Sequence, residues 1–145
     1  MKTICALYAA ACCLSATHTL AEQPPPYDKG HVWMYTEIKT KDGHFNDYMK
    51  WVASDFKTMS EAQKAKGILL DYKVFVVNAP RQGEPDVILA REYPNMAVFD
   101  RSTEEDYALQ TSIVGSVAAA DQKQAARTTI REQVGQVLMR EIKLK

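Results

Sequence analysis

The residues best suited to chemistry lie in two short stretches. In HVWMYTEIK (residues 31–39), Trp33, Tyr35 and Glu37 alternate with Val32, Met34, Thr36 and Ile38. On a strand that alternation gathers two large aromatics and a carboxylate on one face, which is not a plain solvent-facing surface. In VILAREY (residues 87–93) an apolar run ends on Arg91 and Tyr93. If the two strands are neighbours, Trp33, Tyr35, Glu37, Arg91 and Tyr93 are expected to meet on one face. Aromatic walls with a single charged pair suit a planar, partly polar ligand. Glu37 is the one candidate base, and a Glu37–Arg91 ion pair would hold it ionised and weaken it in that role. Arg140 joins the set only if the register of its strand turns it to the same face. The same side chains could instead pack an interface, with the charges satisfying each other.

Other chemistries find little footing. The histidines are His18, His31 and His44, with no HxH or HExxH, and the cysteines are confined to positions 5, 12 and 13. No metal and no cofactor is therefore expected. His44 is a loose candidate for a haem ligand, with water as its more ordinary neighbour. There is no GxSxG, and Gly83 and Gly115 stand alone rather than in a phosphate-cradling loop. Trp51 is expected to be an exposed or edge packing residue rather than a ligand contact.

The first residues indicate the compartment. Lys2 is the only charge in residues 1–21, Ile4–Leu14 is apolar, and Thr19-Leu20-Ala21 resembles a signal-peptidase site. Residues 1–21 are expected to be a cleaved secretory signal, its apolar run too short for a membrane span. The exported chain would be periplasmic or secreted. It would carry no cysteine, and its formal charge moves from 18 − 18 to 17 − 18, or −1. Such a surface has nothing to attract nucleic acid or an anionic membrane.

These candidates need elements to position them. Residues 22–30, with Pro24-Pro25-Pro26, read as a spacer, and residues 31–145 as one domain. Strand one covers residues 31–39. Phe45, Tyr48, Met49, Val52, Phe56 and Met59 make the clearest helical stripe, which should continue through residues 61–66 and stop at Gly67. Residues 68–78 read as strand two and the 87–93 stretch as strand three. Ser102 with Glu105 is a capping-box start for a helix reaching about Val114, with a break at Gly115-Ser116. A further helix is expected over residues 118–133, stopped by Gly135. Strand four should follow over residues 137–144.

Two β-α-β units joined by a hairpin predict an α+β, ferredoxin-like β-α-β-β-α-β fold: a four-stranded antiparallel sheet with helices on one face, and strands one and three in the centre. The bare face would expose Trp33, Tyr35 and Phe75, and a symmetric homodimer would cover it. HVWMYTEIKTKDGHFNDYMKW, KGILLDYKVFVV, REYPNMAVFD and AARTTIREQVGQVL resemble the dimeric α/β-barrel superfamily, and within it small secreted bacterial proteins of unassigned function. The resemblance implies the fold and the dimer. It also brings in cofactor-free monooxygenases, which would use Glu37 on a phenolic substrate. The expectation is a barrel that binds a small aromatic or apolar molecule. The alternatives are such an oxygenase, or a structural or interaction module.

Overall fold

Four antiparallel strands form one sheet in the order β2-β3-β1-β4, so the first and third strands lie at its centre. The computed structural model describes residues 24–78 and 80–145, and the proposed signal segment 1–21 lies outside them. The strands are β1 (Tyr27–Thr40), β2 (Asp71–Val76), β3 (Val87–Tyr93) and β4 (Arg131–Leu144). The β-branched and aromatic residues of residues 71–76 and 87–93 suit a pleated, half-buried surface. The architecture is the expected α+β arrangement of strand, helix, hairpin, helix and strand.

The long amphipathic stripe forms a nearly continuous helical run. It consists of α1 (Phe45–Trp51), a π-helical turn (Val52–Phe56) and α2 (Lys57–Ala65). Its apolar face brings Tyr48, Val52 and Phe56 onto Ile38, Val87 and Leu89 of the sheet, and these six buried residues make the main core. Gly67 ends the run at φ 69°, a left-handed conformation that costs glycine little. The π turn adds a residue to one turn in mid-run, a device often found beside functional sites. On the opposite side of the helical layer lie α3 (Thr103–Val114) and α4 (Val117–Arg127). Ser102 and Glu105 close the capping box reciprocally, at 3.2 and 2.9 Å.

Several boundaries differ from expectation: strand two spans Asp71–Val76 rather than residues 68–78, and strand four begins at Arg131 rather than at residue 137. The first strand starts at Tyr27, inside the segment read as a spacer, because Tyr27, Asp28 and Lys29 pair with Leu144, Lys143 and Ile142. The last helix stops at Arg127 rather than near Gln133. There the hydroxyls of Thr128 and Thr129 bond back to Ala125 and Ala126 and close a turn. Gly135 consequently lies within β4, opposite Glu37 and beside a register shift, instead of ending a helix. Without a Cβ at this point, the Glu37 carboxylate folds over the partner strand.

Candidate functional site

The register of β1 decides which side chains can meet. Trp33 pairs with Glu92, Met34 with Arg91, and Val32 with Tyr93. Directly paired residues share a face and neighbours along a strand alternate, so Trp33, Tyr35 and Glu37 lie on one side of the sheet. Arg91 and Tyr93 lie on the other. This corrects the expected five-residue pocket, and it separates Glu37 from Arg91 so that they form no ion pair. Arg140 pairs with Val32 and also falls on the helical side.

On the face away from the helices, Trp33 and Tyr35 stack with ring centres 6.0 Å apart, and the Lys73 ammonium lies 5.3 Å from the Trp33 ring. His31 Nδ1 is 2.7 Å from Glu92 Oε1. Beside them Val137, Met139 and Phe75 are exposed by 42, 47 and 46 %, so an apolar sheet face stands open to water. Elsewhere, His44 stands at the N-cap position of α1 with no side-chain capping bond, its Nδ1 3.3 Å from Asp47 Oδ2. Among the described residues no three His, Cys, Asp or Glu side chains come together as a metal site. Nor is any helix among them long and apolar enough to cross a membrane.

The helical side holds the chemistry that sequence reasoning missed. Tyr48 is 1 % exposed and stacks on Trp51 at 5.4 Å. Trp51 in turn lies 6.1 Å from Phe56. Guanidinium groups flank this aromatic row, Arg127 at 4.2 Å from the Trp51 ring centre and Arg91 at 5.0 Å from that of Phe56. Arg131, paired with Thr40, is buried at the start of β4. Burial pushes the Tyr48 phenol up to about 12, against the opposing pull of Arg131, Arg127 and Arg91. Burial also lowers the Arg127 pKa, and the charges of Arg131 and Arg91 add to the effect. Tyr93 packs in a second core cluster with Val32 and Leu69, its ring 4.8 Å from Phe99.

Beside this row a cavity of about 470 Å³ opens between the first helical run and α3–α4. Trp51, Met59, Tyr107, Leu109, Ile113 and Val114 supply its apolar lining. At its polar margin Lys123 pairs with Asp55 at 2.9 Å, and Arg101 with Asp106 at 2.6 Å. Arg127 also lines the cavity, and among the described residues no carboxylate lies within ion-pair distance of it. Trp51 is therefore a cavity wall as well as a packing residue. The spacing of Tyr48 and Trp51, three apart on a helix, was visible in the sequence, whereas the convergence of the arginines was not.

With this geometry the chain can be set beside known proteins. It is similar to HapK from Hahella chejuensis, with a TM-score of 0.51, 11 % identity and coverage of 76 % of this chain and 91 % of that one. It is equally similar to protein SO0527 from Shewanella oneidensis, with a TM-score of 0.51, 12 % identity and coverage of 81 % and 96 %. A dimeric protein of unknown function and ferredoxin-like fold from Bacteroides fragilis aligns at a TM-score of 0.42, with 18 % identity over 77 % and 95 %. No protein-family model matches the chain, and no curated protein matches it in sequence. The β-α-β-β-α-β order and the antiparallel β2-β3-β1-β4 sheet are those of a ferredoxin-like fold, and the chain shares its fold with HapK and SO0527.

Proposed function

We propose that this chain is an exported homodimer that binds a small, largely apolar or aromatic molecule in the cavity between its helices. The observation that carries the reading is the 470 Å³ space itself, walled by Trp51, Met59, Tyr107, Leu109, Ile113 and Val114. A volume of this order holds a small organic ligand, and convergent apolar walls with a few polar groups are the usual composition of such sites. The uncovered sheet face supplies the dimer contact. Trp33, Tyr35, Phe75, Val137 and Met139 form an apolar patch, and burying it against a second copy removes it from water. Glu37 belongs to that face and lies across the sheet from the cavity, so binding is preferred over oxygenation with Glu37 as base.

Two measurements test this. Sedimentation equilibrium should give twice the chain mass, falling to one in Val137→Glu/Met139→Glu; a monomeric wild type would remove the dimer. Calorimetric titration with methyl 2-naphthoate should show saturable binding that is lost when Ile113→Trp fills the cavity. Absence of binding, or binding that survives the filling, would remove the cavity reading.

A further inference from the structure

The wall of this cavity at Arg127 has a charge imbalance behind it. Arg91, Arg127 and Arg131 come from β3, α4 and β4, and each buries its Nε without a hydrogen-bond partner among the described residues. Arg131 as a whole is only 9 % exposed. None of the three has a carboxylate within ion-pair distance among the described residues.

Acids do stand nearby, but they are engaged. Asp86 accepts hydrogen bonds from the backbone N–H and the hydroxyl of Thr40, and Asp55 pairs with Lys123. Arg91 and Arg127 lie against Phe56 and Trp51, whose ring centres are 6.1 Å apart, and Arg131 follows Arg127 by four residues across the Thr128–Thr129 turn, so the like charges share one region. Grouped, partly buried cations that no carboxylate pairs directly are unfavourable, and an anion in their midst shifts the balance. Two of the guanidiniums also lie over aromatic rings, Arg127 at 4.2 Å from Trp51 and Arg91 at 5.0 Å from Phe56. A guanidinium held over a ring keeps its N–H donors for an oxyanion; in Arg127 one terminal nitrogen donates to Gln124, and the Nε is the donor left without a partner.

We propose that Arg91, Arg127 and Arg131 form an oxyanion subsite behind the Arg127 wall, and that the ligand is a small organic acid, a carboxylate or phosphate monoester. Its apolar body occupies the space beside Trp51, Met59 and Tyr107. The proposal rests on the cavity reading for the ligand's body, while the oxyanion subsite can be tested separately.

The experiment compares 2-naphthoate and 2-naphthyl phosphate with methyl 2-naphthoate by calorimetry, and follows thermal unfolding with inorganic phosphate against sodium chloride of equal ionic strength. At least one acid should bind ten or more times tighter than the ester, and the tighter one names the headgroup. In Arg127→Gln and Arg131→Gln that preference, read as the ratio of acid to ester affinity within each variant, should fall below twofold. Arg127→Gln, at a partly exposed position, carries the test if Arg131→Gln fails to fold. Phosphate should raise the melting temperature of the wild type and not that of Arg127→Gln. Equal binding of acids and ester would overturn the subsite and leave the cavity standing. No naphthyl binding, with an arginine-dependent phosphate effect, would overturn the cavity and keep the subsite. Neither effect would overturn both.

Discussion

The guanidinium carbon of Arg127 lies 4.2 Å from the centre of the Trp51 indole, at the mouth of the helical cavity. Two effects oppose each other there. The cation–π contact contributes about 1–2 kcal/mol when partly desolvated, while Arg91 and Arg131 repel the same charge. Arg127→Leu is therefore expected to change stability by less than about 1 kcal/mol, with loss of the contact offset by relief of repulsion. The salt response distinguishes this balance from an inert site. Added sodium chloride should stabilise the wild type against urea, and should do so more weakly in Arg127→Leu; equal salt slopes would show that the charges do not act on one another.

Alkaline pH reports on Tyr48. Its phenol is raised to about 12 in the folded protein, from an ordinary value of 10.0, chiefly by burial. Between those values the folded state holds a proton that the unfolded state has released. The stabilisation is thus complete below about pH 10 and lost as pH rises towards 12. At about 1.4 kcal/mol per unit the loss amounts to about 2–3 kcal/mol. Urea unfolding in steps from pH 9 to 12 should show Tyr48→Phe losing less stability than the wild type over that window. Tyr72, raised by its hydrogen bond to Glu61, contributes in both proteins and cancels in the difference.

Gly30 fits β1 against the end of β4 only because it lacks a side chain. A Cβ there would stand 2.9 Å from the Glu141 Cβ and 2.7 Å from its carboxylate. The first of these atoms cannot swing away without moving the strand, so Gly30→Ala is expected to cost about 1–3 kcal/mol. Glu141→Gly in the same chain should recover most of that loss. A double-mutant cycle by chemical denaturation checks the coupling, and strictly additive effects would refute the close approach.

Ser102 holds the start of α3 through its hydroxyl, which accepts from the Glu105 N–H, while the Glu105 carboxylate accepts from the Ser102 N–H. Ser102→Ala should lower stability by about 1 kcal/mol and Ser102→Asp should retain it. Because α3 lines the cavity, ligand affinity should fall with the same variant. Hydrogen exchange at residues 103–106 would report the frayed turn directly.

Much of this architecture was legible in local patterns. Alternation in residues 31–39, the stripe from Phe45 to Met59 and the Ser102–Glu105 pair each act over a few residues, so propensity and spacing were enough to place them. The end of α4 was less legible, because residues 118–133 favour a helix throughout. The threonine turn and the pairing of Arg131 with Thr40 override that preference.

By itself the sequence determined the strand and helix order, the central position of β1 and β3, and the gathering of Trp33, Tyr35 and Glu37 on one strand face. Only the tertiary structure decided that Arg91 and Tyr93 face the opposite way, since side chains alternate along a strand and a one-residue difference in register inverts the face. It also decided that Arg127 and Arg131, which read as ordinary charged residues in AARTTIREQ, converge with Arg91 around Tyr48. That convergence depends on bringing the adjoining ends of α4 and β4 onto α1 and β3, which are distant in the chain, and no local spacing encodes it.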